Sequence, residues 1–217
     1  MLKIFLYCLF VFPVLVFNQF STPKVFGEIG GFYEEQFEPS PNVYLKLSAG
    51  AELFSYKFLA PEIDISYYKG NDEDENSDFD NLGMVNYKSF LKRDASTVIW
   101  GFAPKLFYGD EEYRLVLIPK YSFGTIHATG NLIDSNSLEI EKKSKADIHF
   151  WSFAFGIEGY GWSDNTICGL YLIYTGFNAG KALNKLDFTA EDFSNENYNT
   201  KAIGLSFRIA YNFKKNK

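Results

Sequence analysis

From Ala202 to Phe213 the chain alternates without a break. Ile203, Leu205, Phe207, Ile209, Tyr211 and Phe213 are large and apolar; Ala202, Gly204, Ser206, Arg208, Ala210 and Asn212 are small or polar. Successive side chains of a strand point to opposite faces, so this segment carries one greasy face and one small, polar face. A water-soluble barrel or sandwich turns its large apolar groups inward. Here the other face, with its Gly, Ala and Ser and isolated charges, suits the crowded interior of a narrow barrel, which leaves the large groups outside.

Helical periodicity is nearly absent beyond residue 21, and the same period-two reading predicts eight strands, near 24–34, 42–54, 57–69, 95–108, 112–128, 146–161, 165–178 and 200–213. Their connections are of two kinds. Ser55-Tyr56, Gly109-Asp110-Glu111 and Trp162-Ser163-Asp164 read as tight turns, whereas 69–94, 129–145 and 178–199 read as long polar loops and Gln36–Pro41 as an intermediate one. Short and long connections take turns along the chain, so the tight turns all fall at one end of the strands. Outer-membrane barrels sort their connections in this way, with short periplasmic turns and long outer loops. Composition agrees: 19% of the residues are aromatic, with 23 Phe and 15 Tyr against 2 His, and a sheet facing lipid uses such rings at its interfaces. The hydrophobic content of 47% argues against disorder, and the formal net charge of −6 gives no footprint for nucleic acid.

At the N-terminus, Met1 and Lys3 precede an apolar run from Ile4 to Phe17 that contains Pro13. The run falls short of the roughly 20 residues a spanning helix needs. Its position and flanks predict a secretory signal peptide, residues 1–21, cleaved between Asn18 and Thr22, with 22–217 as one barrel domain. Cys8 lies inside the run, ahead of the place where a lipoprotein would carry its acylated Cys. Once the signal is gone Cys168 is the only thiol, so no disulfide can form and no Cys/His metal spacing exists. An exported chain without disulfides must be held by hydrogen bonds and packing, and a closed barrel meets that need because every strand is paired on both sides.

These residues carry a resemblance. The chain is similar to the small eight-stranded outer-membrane β-barrel proteins, the OmpA/OmpX-like group. Its last strand matches their C-terminal assembly signal in Gly204, Phe207, Ile209, Tyr211 and Phe213, although Lys214-Lys215-Asn216-Lys217 follows the terminal Phe. The resemblance implies an all-β fold, an eight-stranded antiparallel up-and-down transmembrane β-barrel in the outer membrane of a Gram-negative bacterium. It implies a monomer without cofactor, whose partners are outer-membrane lipids and any extracellular ligand met by the loops. It speaks to architecture more than to task.

Parity assigns a facing to each strand position. Leu45, Leu47, Ile63, Ile65, Trp100, Phe102, Leu115, Leu117, Trp151, Phe153, Phe155, Leu170 and Leu172 should face outward. Pro61, Pro104 and Pro119 share that parity and predict bulges or strand ends, since proline removes a ladder donor. Glu28, Lys46, Glu52, Glu62, Asp64, Lys105, Lys120, Glu158 and Arg208 should face inward, five acids against four bases. A Lys or Arg turned to lipid costs about 2–4 kcal/mol at the midplane, whereas inside the barrel these groups can pair. The near balance, with Tyr44, Tyr68 and Phe107 also pointing in, predicts a salt-bridged filling rather than an open pore. Strand eight must close on strand one, so Glu28 is the expected partner of Arg208, with Glu158 as the alternative.

Other candidates read as structural. His127 lies near Ser122, Thr129, Glu139 and Glu141, but a Ser-His-acid set of the lipid A deacylase kind needs a Ser where Thr129 stands, and a solvated rim histidine is expected. His149 shares the outward parity of Trp151, an interface position. Asp72, Asp74 and Asn76 match the first EF-hand ligand positions, but Ser77 replaces the required Gly and Gly83 the closing Glu, which leaves an acidic, self-repelling loop. Gly27-Glu28-Ile29-Gly30-Gly31 has no following helix to make a nucleotide loop, and its glycines are expected to relieve crowding. Leu183, Leu186, Ala190 and Phe193 have helical spacing and predict a short surface helix. The leading function is therefore a structural or surface-interaction barrel without catalysis. A narrow passive channel, a lipid A-modifying enzyme and a soluble lipocalin-like periplasmic binder are the alternatives.

Overall fold

The computed structural model describes residues 22–34, 43–79, 83, 85–110, 112–134, 139–191, 193 and 201–213. The expected signal peptide and the connection at Gln36–Pro41 lie outside the described residues. Eight strands are present: β1 (Lys24–Glu34), β2 (Val43–Glu52), β3 (Leu59–Phe79), β4 (Val85–Gly109), β5 (Tyr113–Asp134), β6 (Glu139–Tyr160), β7 (Thr166–Thr175) and β8 (Ala202–Asn212). Each pairs antiparallel with its neighbours in sequence, and β8 closes on β1 to complete a barrel. The fold is all-β, an eight-stranded up-and-down barrel. Along β8 exposed and buried residues alternate from end to end, as its sequence requires.

The three tight turns share one end. Tyr56 and Leu59 exchange backbone bonds at 2.8 and 2.9 Å around Lys57, whose φ of 52° is left-handed. Before β5 the Asp110 carboxylate accepts the N–H groups of Glu112 and Tyr113 at 3.0 and 3.1 Å, and Gly109 takes a φ of 117°. Thr166 N–H closes the third turn on Ser163 at 2.9 Å.

At the other end the structure corrects two of the three expected long loops. Segments 69–94 and 129–145 are mostly strand, because β3 runs on to Phe79, β4 starts at Val85, β5 runs to Asp134 and β6 starts at Glu139. One wall of the barrel therefore rises as a four-stranded sheet well beyond the ends of β1, β2, β7 and β8. The acidic segment is not a self-repelling loop. It is strand β3, and its carboxylates face bases on β4: Glu73 meets Lys92 at 3.1 Å, Glu75 meets Lys88 at 2.6 Å and Asp72 meets Arg93 at 2.9 Å. Such opposite-charge pairs across strands stabilise a sheet without any apolar alternation.

The third long connection does leave the sheet. Helix α1 (Gly180–Leu183) and a 3-10 turn (Thr189–Glu191) follow β7. Its helix is not on the surface as expected, since Ala182, Leu183, Leu186, Phe188 and Phe193 are all buried. The prolines also differ from expectation. Pro61 pairs with Pro104 inside the β3–β4 ladder, and the β4–β5 ladder skips from Phe102/Tyr121 to Leu106/Leu117 around Pro104 and Pro119, so rungs are lost within strands. Of the glycines at 27–31, Gly30 is hemmed in by Ser206, whereas Gly27 and Gly31 meet open space and relieve no crowding.

Candidate functional site

The outer wall of the barrel is apolar over a bounded height. On β5 the outward residues from Tyr113 to Phe123 are Tyr113, Leu115, Leu117, Pro119, Tyr121 and Phe123, none of them charged. At ordinary strand rise and tilt this band stands roughly 25 Å tall. Ile63, Ile65, Trp100, Phe102, Trp151, Phe153, Phe155, Leu170, Leu172, Leu205 and Phe207 continue it around the ring, all exposed. Rings mark both margins. Phe58, Tyr108, Tyr113, Tyr160, Trp162 and Phe213 stand at the tight-turn end, with Tyr108 83% and Trp162 74% exposed. Tyr67, Trp100, Phe123 and Trp151 stand at the other. Above that margin the outer face turns polar, first with Thr125 and Asp147 beside the still-apolar Val98, then with Lys69, Ser96, His127 and Lys145 in the next row.

Behind the apolar band lies an ionic interior. All nine sequence-derived inward charges are buried there: Glu28, Lys46, Glu52, Glu62, Asp64, Lys105, Lys120, Glu158 and Arg208. Arg208 faces Glu28 across the closing seam and donates to it at 2.9 and 2.7 Å; its remaining nitrogen donates to both Glu62 oxygens at 2.8 and 3.0 Å. The second partner is thus Glu62 rather than Glu158. Lys46 donates to the other Glu28 oxygen, and Lys120 to Asp64 at 2.9 Å. Lys105 stands among Glu52, Glu158 and Glu62 at 3.1, 2.7 and 3.6 Å.

Two further bases escaped the sequence reading. Lys24 donates to Glu52 at 3.1 Å, and Arg114 donates to Glu158 at 2.6 Å while lying over the Phe107 ring. Parity would have found both: Lys24 shares the parity of Glu28, and Arg114 that of Lys120. Among the described residues this interior layer then holds six bases and five acids, Lys24 and Arg114 joining the nine. Buried charges persist only when paired and hydrogen-bonded, and removing one partner costs about 3–5 kcal/mol. The Tyr171 hydroxyl donates to Glu158 and its ring backs Arg208, so aromatic side chains fill the space between the pairs.

A layer of rings separates this ionic storey from the one above. Phe177, at the start of the β7–β8 connection, stacks on Tyr68 with ring centres 4.7 Å apart and meets Tyr44 and Phe150 edge-on at 5.2 and 5.6 Å. Above it the interior is mainly apolar, with the buried Asp72–Arg93 pair at 2.9 Å on its β3–β4 side. Leu91, Ile99, Ile126, Leu132 and Ile148 from the rising sheet pack with Leu183, Leu186, Phe188 and Phe193 of the connection. The Phe188 ring sits where a side chain at Gly130 would be. Among the described residues this insert is fastened by a handful of polar contacts: Ser144 donates to the Ala182 carbonyl at 2.6 Å, Lys185 to the Lys145 carbonyl at 3.0 Å, and Lys142 to the Asp187 carbonyl at 2.6 Å and to Glu191 at 3.0 Å. The Asp187 carboxyl is held below its ordinary range by hydrogen bonds from the hydroxyl and the N–H of Thr189.

The residues considered for catalysis do not assemble. His127 is exposed on the outer face, opposite Ser96 and Lys145, while Ser122 is buried on the inner face of the same strand. Glu141 stands across from Asn131 and binds Lys143 at 2.9 Å, and Glu139 stands across from Ile133. His149 is exposed beside Trp151 and opposite Phe123. Cys168 opens on a groove of about 330 Å³ lined mostly by Tyr113, Leu115, Ile157, Leu170 and Phe207, with the paired Arg114 and Glu158 at its floor.

No protein-family model matches the chain, and no curated protein matches it. Among solved structures it is similar in fold to small outer-membrane β-barrel proteins. Neisserial surface protein A aligns with 89% of this chain and 99% of its own at 13% identity and a TM-score of 0.45. Ail, the attachment invasion locus protein of Yersinia pestis, aligns with 88% of this chain and 98% of its own at 8% identity and a TM-score of 0.37. The N-terminal β-barrel domain of Pseudomonas aeruginosa OprF aligns with 90% of this chain and all of its own at 15% identity and a TM-score of 0.36.

Proposed function

We propose that the protein is a non-catalytic barrel of the Gram-negative outer membrane that displays a rigid sheet at the cell surface, as a structural or surface-interaction protein. The observation that carries this reading is the band of outward apolar side chains around the whole ring, edged by aromatic residues and succeeded by charged ones. Lipid is the partner of that band. The ring is closed at this height, so no strand edge remains to pair with a second copy, and a monomer suffices. The upper halves of β3–β6 are the part offered to a surface ligand.

The test is fractionation with a gel. The protein should be recovered with outer membranes, and its mobility in SDS should change on boiling. Recovery in the soluble periplasmic fraction overturns the reading in favour of a lipocalin-like binder. Orientation is read in a Cys168→Ser background: a membrane-impermeant thiol reagent should label Thr129→Cys on intact cells and leave Ser163→Cys untouched.

A further inference from the structure

At the junction of the ionic storey and the ring layer lies a small buried cavity of about 10 Å³, room for the centre of one water-sized particle. Lys46, Lys120, Arg208, Tyr68, Ser152 and Glu28 are among its walls, and all six are more than nine-tenths buried. The hydrogen bonds around it leave donors over. Lys46 makes one bond, to Glu28, and Lys120 makes one, to Asp64, although each ammonium carries three N–H groups. The Tyr68 and Ser152 hydroxyls have no hydrogen-bond partner among the described residues. The only carboxylate in the wall, Glu28, is already engaged at both oxygens, by Lys46 at one and by Arg208 at the other.

Two ammonium groups with N–H groups to spare and two hydroxyls that can turn to donate therefore line this space. A water could donate back to the hydroxyl oxygens but brings no charge, whereas a halide accepts from all four groups and answers the excess of bases. We propose that this cavity is a buried site for a single monoatomic anion of the chloride class, held by Lys46, Lys120, Tyr68 and Ser152. Two of its walls are the ends of flexible lysine chains, which can give by the few tenths of an ångström that separate a chloride from a water. The anion would also offset the surplus of one base in this layer. The inference concerns the barrel interior and does not rest on where in the cell the protein resides.

The experiment is refolding of the full chain from urea into detergent micelles with bromide as the only halide, and in parallel with gluconate. Crystals of the bromide-refolded protein should show an anomalous peak in this cavity. The folded-to-unfolded ratio should rise about tenfold at a bromide concentration ten times its dissociation constant. Tyr68→Phe combined with Ser152→Ala keeps every charge pair and nearly all the packing, so it should fold yet lose the peak and most of the bromide dependence. Density in the cavity without anomalous signal identifies a water and overturns the proposal. So does a bromide effect of equal size in wild type and double variant, which would mark a general salt effect.

Discussion

Along β5 the inner face carries Arg114, Lys120 and Ser122 near the tight turns and Ile126, Ala128 and Leu132 farther on. Its outer face carries Leu115, Leu117 and Phe123 and then Thr125, His127 and Asn131. β6 repeats the exchange. Glu158 and Ser152 give way inside to Ile148 and Ala146, while Ile157, Phe155 and Trp151 give way outside to Asp147, Lys145 and Glu141. The period of two is kept through both storeys, but the meaning of each face inverts. In the lower storey the apolar groups look out and the charges look in. In the upper storey β5 and β6 follow, for the most part, the logic of a water-soluble sheet, polar outside and apolar within, although Ile133 stays exposed and β3 and β4 bury the Asp72–Arg93 pair. What changes between them is the medium proposed outside, and the lower interior, once charged, needs near-complete pairing. The two storeys are accordingly held by different balances of force: a network of buried ion pairs below, and mainly apolar burial above, with one buried ion pair, Asp72–Arg93, and a few half-exposed latches.

The largest effect should come from breaking the lower network. Arg208→Ala leaves Glu28 and Glu62 without their shared base and should cost about 3–5 kcal/mol, measured by urea unfolding in lipid vesicles. A double-mutant cycle with Glu28→Gln should show strong coupling, whereas one between Arg208 and the upper-storey Lys142 should show none. The same closed network means that the barrel should pass little or no steady current in planar bilayers. A large, stable single-channel current would show that the lower storey is open, and the channel reading would replace the structural one.

Next in size is the upper core. Phe188→Ala should cost about 3 kcal/mol by loss of a buried ring. The loss should be local, seen as faster amide exchange and protease cleavage over 177–193, with the ladder of β1 and β8 unchanged. Equal loosening of both storeys would mean that they do not behave as separate units.

A third test addresses the inversion directly. Leu205 and Thr129 both lie on the outer face, one in the apolar band and one above it. Leu205→Arg should cost about 2 kcal/mol of folding into bilayers, a depth-dependent charge penalty, and Thr129→Arg should be near neutral. Similar costs at the two sites would remove the boundary drawn between Phe123 and Thr125.

The smallest effect is a pH dependence confined to the upper storey. The Asp187 carboxyl is lowered in the folded protein by its Thr189 hydrogen bonds. Its contribution is therefore present above the unfolded value and lost as pH falls through the folded one. Exchange over 177–193 should quicken in acid below the usual carboxylate range, and Thr189→Ala should shrink that response.

Legibility in the sequence followed the same division. β1, β2, β7 and β8 read cleanly because one face of each is apolar throughout. The upper parts of β3 and β4 did not, since Glu73, Glu75, Lys88 and Lys92 show no apolar alternation; their strand character depends on partners across a hairpin. The spacing of Leu183, Leu186 and Phe193 was visible as an amphipathic turn, but nothing local says whether such a face meets solvent or a cup of Ile99, Ile126 and Leu132. Lys24 and Arg114 were within reach of the parity argument and were lost only because they begin their strands, where the alternation is least evident.

Facing is a local property of an extended chain, since each residue turns the side chain by half a revolution. Strand number, inward and outward sets and the burial of Glu28, Glu62 and Arg208 therefore follow from the order of residues alone. Which groups then meet is not local. Arg208 takes Glu62 as its second partner, Phe177 caps the ionic storey, and Gly130 receives Phe188, because register and tilt bring together strands that lie far apart in the chain. Those choices depend on the closed ring, and only the folded barrel makes them.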